Sequence, residues 1–261
     1  MKKSVLAIAL FGAAFAHADY QFEAGAFVGQ GDISQGNNEV DFDTFGVLGA
    51  LHFAPVDTSK GPLAEAAFLS RSSSINFGFT SIEPDFDNAD DLDTFSFGGR
   101  AVTAQNVILE AGYSTTEYGD EESDSVRIGA GTYLTPNADV VVSYQTSDDD
   151  SVDEDRLGVD FHGVNSLMQG ASFAYDLSLA YIDGDSDNGH AIGVGGTYYF
   201  NPAFGIGLSA ELEEVGDIDS DTVTLDLSYF PQPNLQLVAA YFDQDAVLET
   251  EGVLIGASLR F

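Results

Sequence analysis

Nine ionisable side chains stand inside otherwise apolar or small-residue segments: Arg100, Glu110, Arg127, Arg156, Asp160, His162, Asp176, Asp226 and Arg260. Each falls at the parity opposite the bulky apolar residues around it. Facing carboxylates and guanidinium groups can pair with one another and can set the field felt by a passing ion. They do not compose a nucleophilic centre. The chain has no cysteine, which removes disulfides, thiolate metal sites and thiol nucleophiles together. A hydrolase needs a nucleophile or activated water beside a carboxylate-oriented histidine. Beyond residue 18 the histidines are His52, near a short turn, His162, with no serine at a fixed spacing, and His190. His190 follows the acidic run Asp183 to Asp187, one of whose carboxylates could orient it at a rim. A lone histidine after such a run reads first as a solvated surface residue, so no catalytic residue and no cofactor are expected.

The same run, Asp183-Gly184-Asp185-Ser186-Asp187, has the early spacing of a calcium-binding loop. It then departs from that pattern, with Asn188 where the turn glycine belongs and Val194 where a bidentate glutamate should be. A solvated acidic loop is the better reading, and no metal site is assigned.

The elements that must position these charges alternate with period two, which sends successive side chains to opposite faces of a strand. In 222–229, Val223, Leu225, Leu227 and Tyr229 share one face and Thr222, Thr224, Asp226 and Ser228 the other. In 172–181, Phe173, Tyr175, Leu177, Leu179 and Tyr181 oppose Ser172, Ala174, Asp176, Ser178 and Ala180. The last segment repeats this, with Val253, Ile255, Ala257, Leu259 and Phe261 against Gly256, Ser258 and Arg260. All seven prolines fall between alternating runs or at their edges, where no sheet donor is required. Several follow aromatic residues, as in Phe53-Ala54-Pro55 and Phe200-Asn201-Pro202. The other breaks are acidic: Glu83 to Asp93, Glu117 to Asp124, Asp148 to Asp155, Asp183 to Asp187 and Glu213 to Asp221.

Counting between breaks predicts fourteen strands near 20–30, 40–54, 63–81, 92–103, 107–118, 124–135, 139–147, 155–165, 171–182, 189–200, 204–215, 221–230, 234–244 and 250–261. Twelve or sixteen also remain compatible, because Leu63 to Leu69 does not alternate and could hold a bulge or a helical turn.

With 43 Asp+Glu against 8 Lys+Arg the formal charge is −35, which excludes a nucleic-acid partner through phosphate repulsion. A hydrophobic content of 44% argues against disorder despite that charge. Met1-Lys2-Lys3, the apolar run Val5 to Phe15 and Ala16-His17-Ala18 predict a secretory signal over 1–18, cut before Asp19. The expected mature chain is one domain, 19–261. No later segment offers the roughly eighteen consecutive apolar residues of a membrane helix. The fold class is therefore all-β, and the choice lies between a soluble sandwich and a transmembrane barrel. The non-apolar strand faces are rich in Gly, Ser and Ala, while charge gathers in alternate breaks. Closing the sheet would satisfy every backbone group, as hydrocarbon demands. Phe53, Tyr133, Tyr198, Phe200, Phe204, Tyr229 and Phe230 sit near strand ends, where an interfacial girdle lies. The expectation is an antiparallel up-and-down transmembrane barrel of about fourteen strands.

The chain ends Ser258-Leu259-Arg260-Phe261, which resembles the C-terminal signature of outer-membrane barrels. With the signal, the aromatic-proline turns and Pro62-Leu-Ala-Glu-Ala-Ala-Phe-Leu-Ser70, residues 19–261 resemble the putative general porins of Gram-negative bacteria. The resemblance implies a transport barrel in the outer membrane, with short periplasmic turns, acidic extracellular loops and periplasmic termini. It implies contact with outer-membrane lipids, delivery to the barrel-insertion machinery through the Phe261 strand, and leaves a homotrimer open. It supplies no catalytic residues.

If lipid meets the apolar face, then Arg100, Glu110, Arg127, Arg156, Asp160, His162, Asp176 and Asp226 become pore-lining, with Arg260 beside them. An odd-length turn at Ala104-Gln105-Asn106 would set Arg100 directly opposite Glu110. Inward Gly129, Gly131, Gly193, Gly195, Gly205 and Gly207 would leave free space or, equally, ease strand curvature. No loop is long enough to fold inward as an obvious constriction, so wall side chains should set selectivity. The expected function is passive diffusion of small hydrophilic solutes with cation preference. The alternatives are a filled, non-transport envelope barrel and an outer-membrane hydrolase.

Overall fold

The structure, a computed structural model, describes residues 19–36, 38–86, 89–149, 153–184 and 187–261. The expected signal, 1–18, lies outside the described residues, as do Asp185 and Ser186 of the acidic run. Fourteen strands form: β1 (Tyr20–Gln35), β2 (Asn38–Val56), β3 (Ser74–Pro84), β4 (Leu92–Val102), β5 (Val107–Tyr118), β6 (Glu121–Thr135) and β7 (Ala138–Asp149), then β8 (Asp153–Ser166), β9 (Ser172–Gly184), β10 (Asn188–Asn201), β11 (Phe204–Val215), β12 (Ile218–Gln232), β13 (Leu235–Asp245) and β14 (Glu249–Arg260). Every strand pairs antiparallel with its sequence neighbours, and β1 pairs β14 from Glu23↔Arg260 to Ser34↔Glu249. The barrel is closed, so no sheet edge is left unpaired.

Alternation decides which way each wall faces. Bulky apolar side chains of the alternating strands are exposed: Val194 and Leu208 at 58% each, Leu225 at 49% and Val223 at 47%. A sandwich would bury them between its sheets. Here they coat the outside, which suits hydrocarbon and not water. At the end carrying Tyr20 and Phe261, Tyr198, Phe200, Phe204 and Tyr229 form a contiguous ring-to-ring chain along the outer surface. Two members of the expected girdle are misplaced. Tyr133 and Phe230 are buried, because each shares the inward parity of its strand.

Two expectations about connections are corrected. Three of the acidic runs, 117–124, 148–155 and 213–221, are largely strand rather than loop, whereas most of 83–93 lies between β3 and β4 as expected: β5 reaches Tyr118 and β6 starts at Glu121, with only Gly119 and Asp120 between. Gly119 and Gly216, with φ of +61° and +60°, take the first position of two-residue hairpin loops, where such a turn calls for glycine. Polar strand ends extend the ladder past the apolar band, where periodicity in hydrophobicity carries no signal.

The second correction concerns 63–81. Only 74–84 is strand; 3-10 turns at Thr58–Lys60 and Leu63–Glu65 and the short helix α1 (Ala66–Leu69) precede it. Asp57 caps the first turn, accepting from the Ser59 amide at 2.9 Å and hydroxyl at 2.6 Å, which holds its carboxyl below the usual range.

Candidate functional site

The charged lumen is built strand by strand. In β4–β5 the Thr103 amide donates to the Val107 carbonyl at 2.9 Å, closing the three-residue loop 104–106. Asn106 takes its left-handed position with φ +66°. That odd length sets Arg100 against Glu110 in register, with Nη1 2.6 Å from Oε1. The other Arg100 terminal nitrogen reaches Asp139 on β7, whose side chain is only 4% exposed. Arg127 on β6 holds Asp160 on β8 at 2.7 Å. Arg156 on β8 crosses to Glu213 on β11 at 2.5 Å, with Glu154 at 3.6 Å. Pairs that skip intervening strands must pass through the interior, so these side chains lie in the lumen.

His162 places Nδ1 2.6 Å from Asp176 and Nε2 3.1 Å from Glu65. Asp226 is half-buried and has no cationic partner among the described residues; a Cβ at Gly207 would lie 2.1 Å from its Oδ1. Arg260 is buried, pairing with Glu23 at 2.8 Å beneath the rings of Tyr20 and Phe230. Asp139, Glu211 and Glu213 escaped the sequence reading. Asp139 was legible, since it shares parity with Val141 and opposes the lipid-facing Val140 and Val142. Glu65 was not, because its segment follows no strand period.

That segment is the main departure from expectation. The connection 57–73 folds inward and crosses the termini end of the barrel. The Leu63 amide donates to the Pro202 carbonyl at 2.8 Å, in the turn between β10 and β11, seven strands away from β3 around a fourteen-strand wall. Arg260 donates to the Leu63 carbonyl at 2.8 Å, and the Tyr133 hydroxyl to that of Phe68 at 2.9 Å. Glu65 accepts from the Tyr199 hydroxyl at 2.8 Å while meeting His162. The Phe68 ring lies edge-on to His162 at 4.3 Å, and Arg71 bonds the Asn106 side chain. Leu69 packs with Val164, Ala174 and Tyr199, and Ala66 with Tyr20 and Val56. The buried apolar clusters of this barrel thus gather where the connection meets the wall. A helical floor, not a side-chain ring alone, narrows the lumen.

Above this floor lies a cavity of about 450 Å³ lined by Arg100, Arg127, His162, Asp176 and Glu211 among others. The opposite arc holds the Arg260–Glu23 pair together with apolar side chains, Leu48, Val238 and Leu254, beside the inward glycines Gly25, Gly256 and Gly29.

The family model described as putative general bacterial porin matches residues 1–155. The chain belongs to this porin family. No curated protein matches it. Among solved structures, the porin is similar to the outer membrane protein Omp33 of Acinetobacter baumannii: TM-score 0.67 and 22% identity, over 94% of this chain and 99% of that one. A bacterial polysaccharide outer membrane secretin aligns at TM-score 0.55 and 9% identity, over 93% of this chain and 99% of that one. Both likenesses are of fold, a closed outer-membrane barrel.

His190 lies 3.8 Å from Glu214, both side chains 58% exposed, and among the described residues it forms no ion pair with Asp183 or Asp187, Asp185 lying outside them. Among the described residues no group of three metal-ligating side chains forms.

Proposed function

We propose that this porin is a passive diffusion channel for small hydrophilic solutes that prefers cations, with its termini and helical floor at the periplasmic end and residues 1–18 removed on export. One observation carries the ion preference. Arg100, Arg127, Arg156 and Arg260 are each held by carboxylates, whereas Glu211 and Asp226 have no cationic partner among the described residues. Unneutralised carboxylates in a low-dielectric wall raise the local concentration of cations. The acidic strand ends at the opposite mouth add to that field. Arg100, Glu110, Arg127, Arg156, Asp160, His162, Asp176 and Asp226 are proposed to line the path.

The test is the reversal potential in a salt gradient across a planar bilayer. A potential of cation-selective sign at low salt, shrinking as salt rises, supports this reading; anion selectivity at low salt overturns it. The floor favours one rival, a closed barrel serving as an envelope anchor. Single-channel recording separates the two, because an anchor passes no stepwise current.

A further inference from the structure

We infer that the lumen cavity selects zwitterionic solutes of amino-acid size, with carboxylate toward Arg127 and ammonium toward Glu211. This rests on the diffusion-channel reading and adds a substrate class to it. The cavity of about 450 Å³ carries Arg100 and Arg127 from one arc and Asp176, Glu211, Thr222 and Thr224 from another. That volume is within the roughly 300–1,000 Å³ of small-ligand pockets.

The arginines are not equivalent. Arg100 is engaged by two carboxylates, Glu110 and Asp139, and Arg156 by Glu213 and Glu154. Among the described residues Arg127 pairs with one carboxylate, Asp160, through Nη2, and its side chain stays 42% exposed. A guanidinium offers a fork of donors suited to a carboxylate, so Arg127 retains capacity for a second one. Glu211 is exposed, with no cationic partner among the described residues. Arg127 and Glu211 also both line an adjoining space of about 180 Å³, together with Arg156 and Asp160.

A neutral polyol gains nothing from a field between such walls. A simple anion is opposed by Asp176, Glu211 and Asp226. A zwitterion has no net charge to be excluded and gains at both ends when its dipole aligns, while the two threonine hydroxyls replace lost water contacts.

The experiment compares swelling rates of proteoliposomes in isosmotic L-serine and erythritol, solutes of similar size. Serine is expected to enter faster by about twofold to fivefold, the scale of one screened charge pair. Arg127→Gln and Glu211→Gln are each expected to bring that ratio toward one, with barrel integrity read from the heat-dependent gel shift. If Arg127→Gln does not assemble, Glu211→Gln carries the test, since it removes no ion pair. Erythritol entry with a serine ratio near one, or a ratio unmoved by both substitutions, overturns the inference and leaves the channel reading intact. Entry of neither solute overturns the channel reading and the inference with it.

Discussion

Glu65 and His162 are 97 residues apart in the chain, yet their side chains meet at 3.1 Å inside the barrel. Glu65 also holds the Tyr199 hydroxyl at 2.8 Å, so one carboxylate ties the helical floor to β8 and β10. Hydrogen bonds to a charged group contribute about 1.5–3 kcal/mol each. Glu65→Ala is expected to loosen the floor and raise single-channel conductance. Replacing residues 59–71 by a short turn should raise it further. Unchanged conductance in both would mean that the floor does not limit passage.

Arg100 neutralises Asp139 in a nearly solvent-free position. Removing one partner of a buried pair leaves an uncompensated charge, at about 3–5 kcal/mol. Arg100→Ala should lower the urea midpoint of the refolded barrel accordingly, and Asp139→Asn in the same chain should recover part of the loss. The recovery distinguishes charge burial from lost packing.

Leu225 and Thr224 are adjacent in β12 but face lipid and lumen respectively. An arginine at the lipid midplane costs about 2–4 kcal/mol, whereas lumen substitutions chiefly alter selectivity. Leu225→Arg should therefore destabilise the barrel in lipid-vesicle unfolding. Thr224→Arg should leave stability nearly unchanged and shift the reversal potential toward anions.

Phe261 closes the seam. Its carbonyl accepts from the Gln21 and Phe22 amides at 2.7 and 3.0 Å, its amide donates to the Phe22 carbonyl at 2.8 Å, and its ring lies 6.1 Å from that of Phe22. Deleting Phe261 should reduce the amount of heat-modifiable barrel recovered from cell membranes more than refolding yield in detergent. That difference would identify recognition by the insertion machinery as its role beyond seam closure.

Much of this architecture was legible because a barrel wall obeys a local rule. Wherever one face meets lipid, bulky and small residues alternate, so parity alone sends Arg100, Arg127, Asp160, Asp176 and Asp226 inward. The Arg100–Glu110 register followed from keeping both apolar faces of one hairpin outward, which demands an odd loop. Tyr133 and Phe230 were misread because an aromatic residue near a strand end belongs to a girdle only if its parity is outward.

The sequence by itself determined the all-β class, the parity of the alternating strands and the Arg100–Glu110 pair, since each depends on residues close in the chain or opposite in a hairpin; the strand number, for which twelve or sixteen stayed compatible, was settled at fourteen by the closed barrel. Tertiary structure alone decided the partners across the lumen: Arg156 with Glu213, Arg100 with Asp139, and Glu65 with His162 and Tyr199. It also decided that 57–73 turns inward. Closure brings β3 and β10 to opposite sides of one ring, and only then does the Leu63 amide have the Pro202 carbonyl within reach. No period in the sequence encodes that distance, because it is a property of the closed circumference.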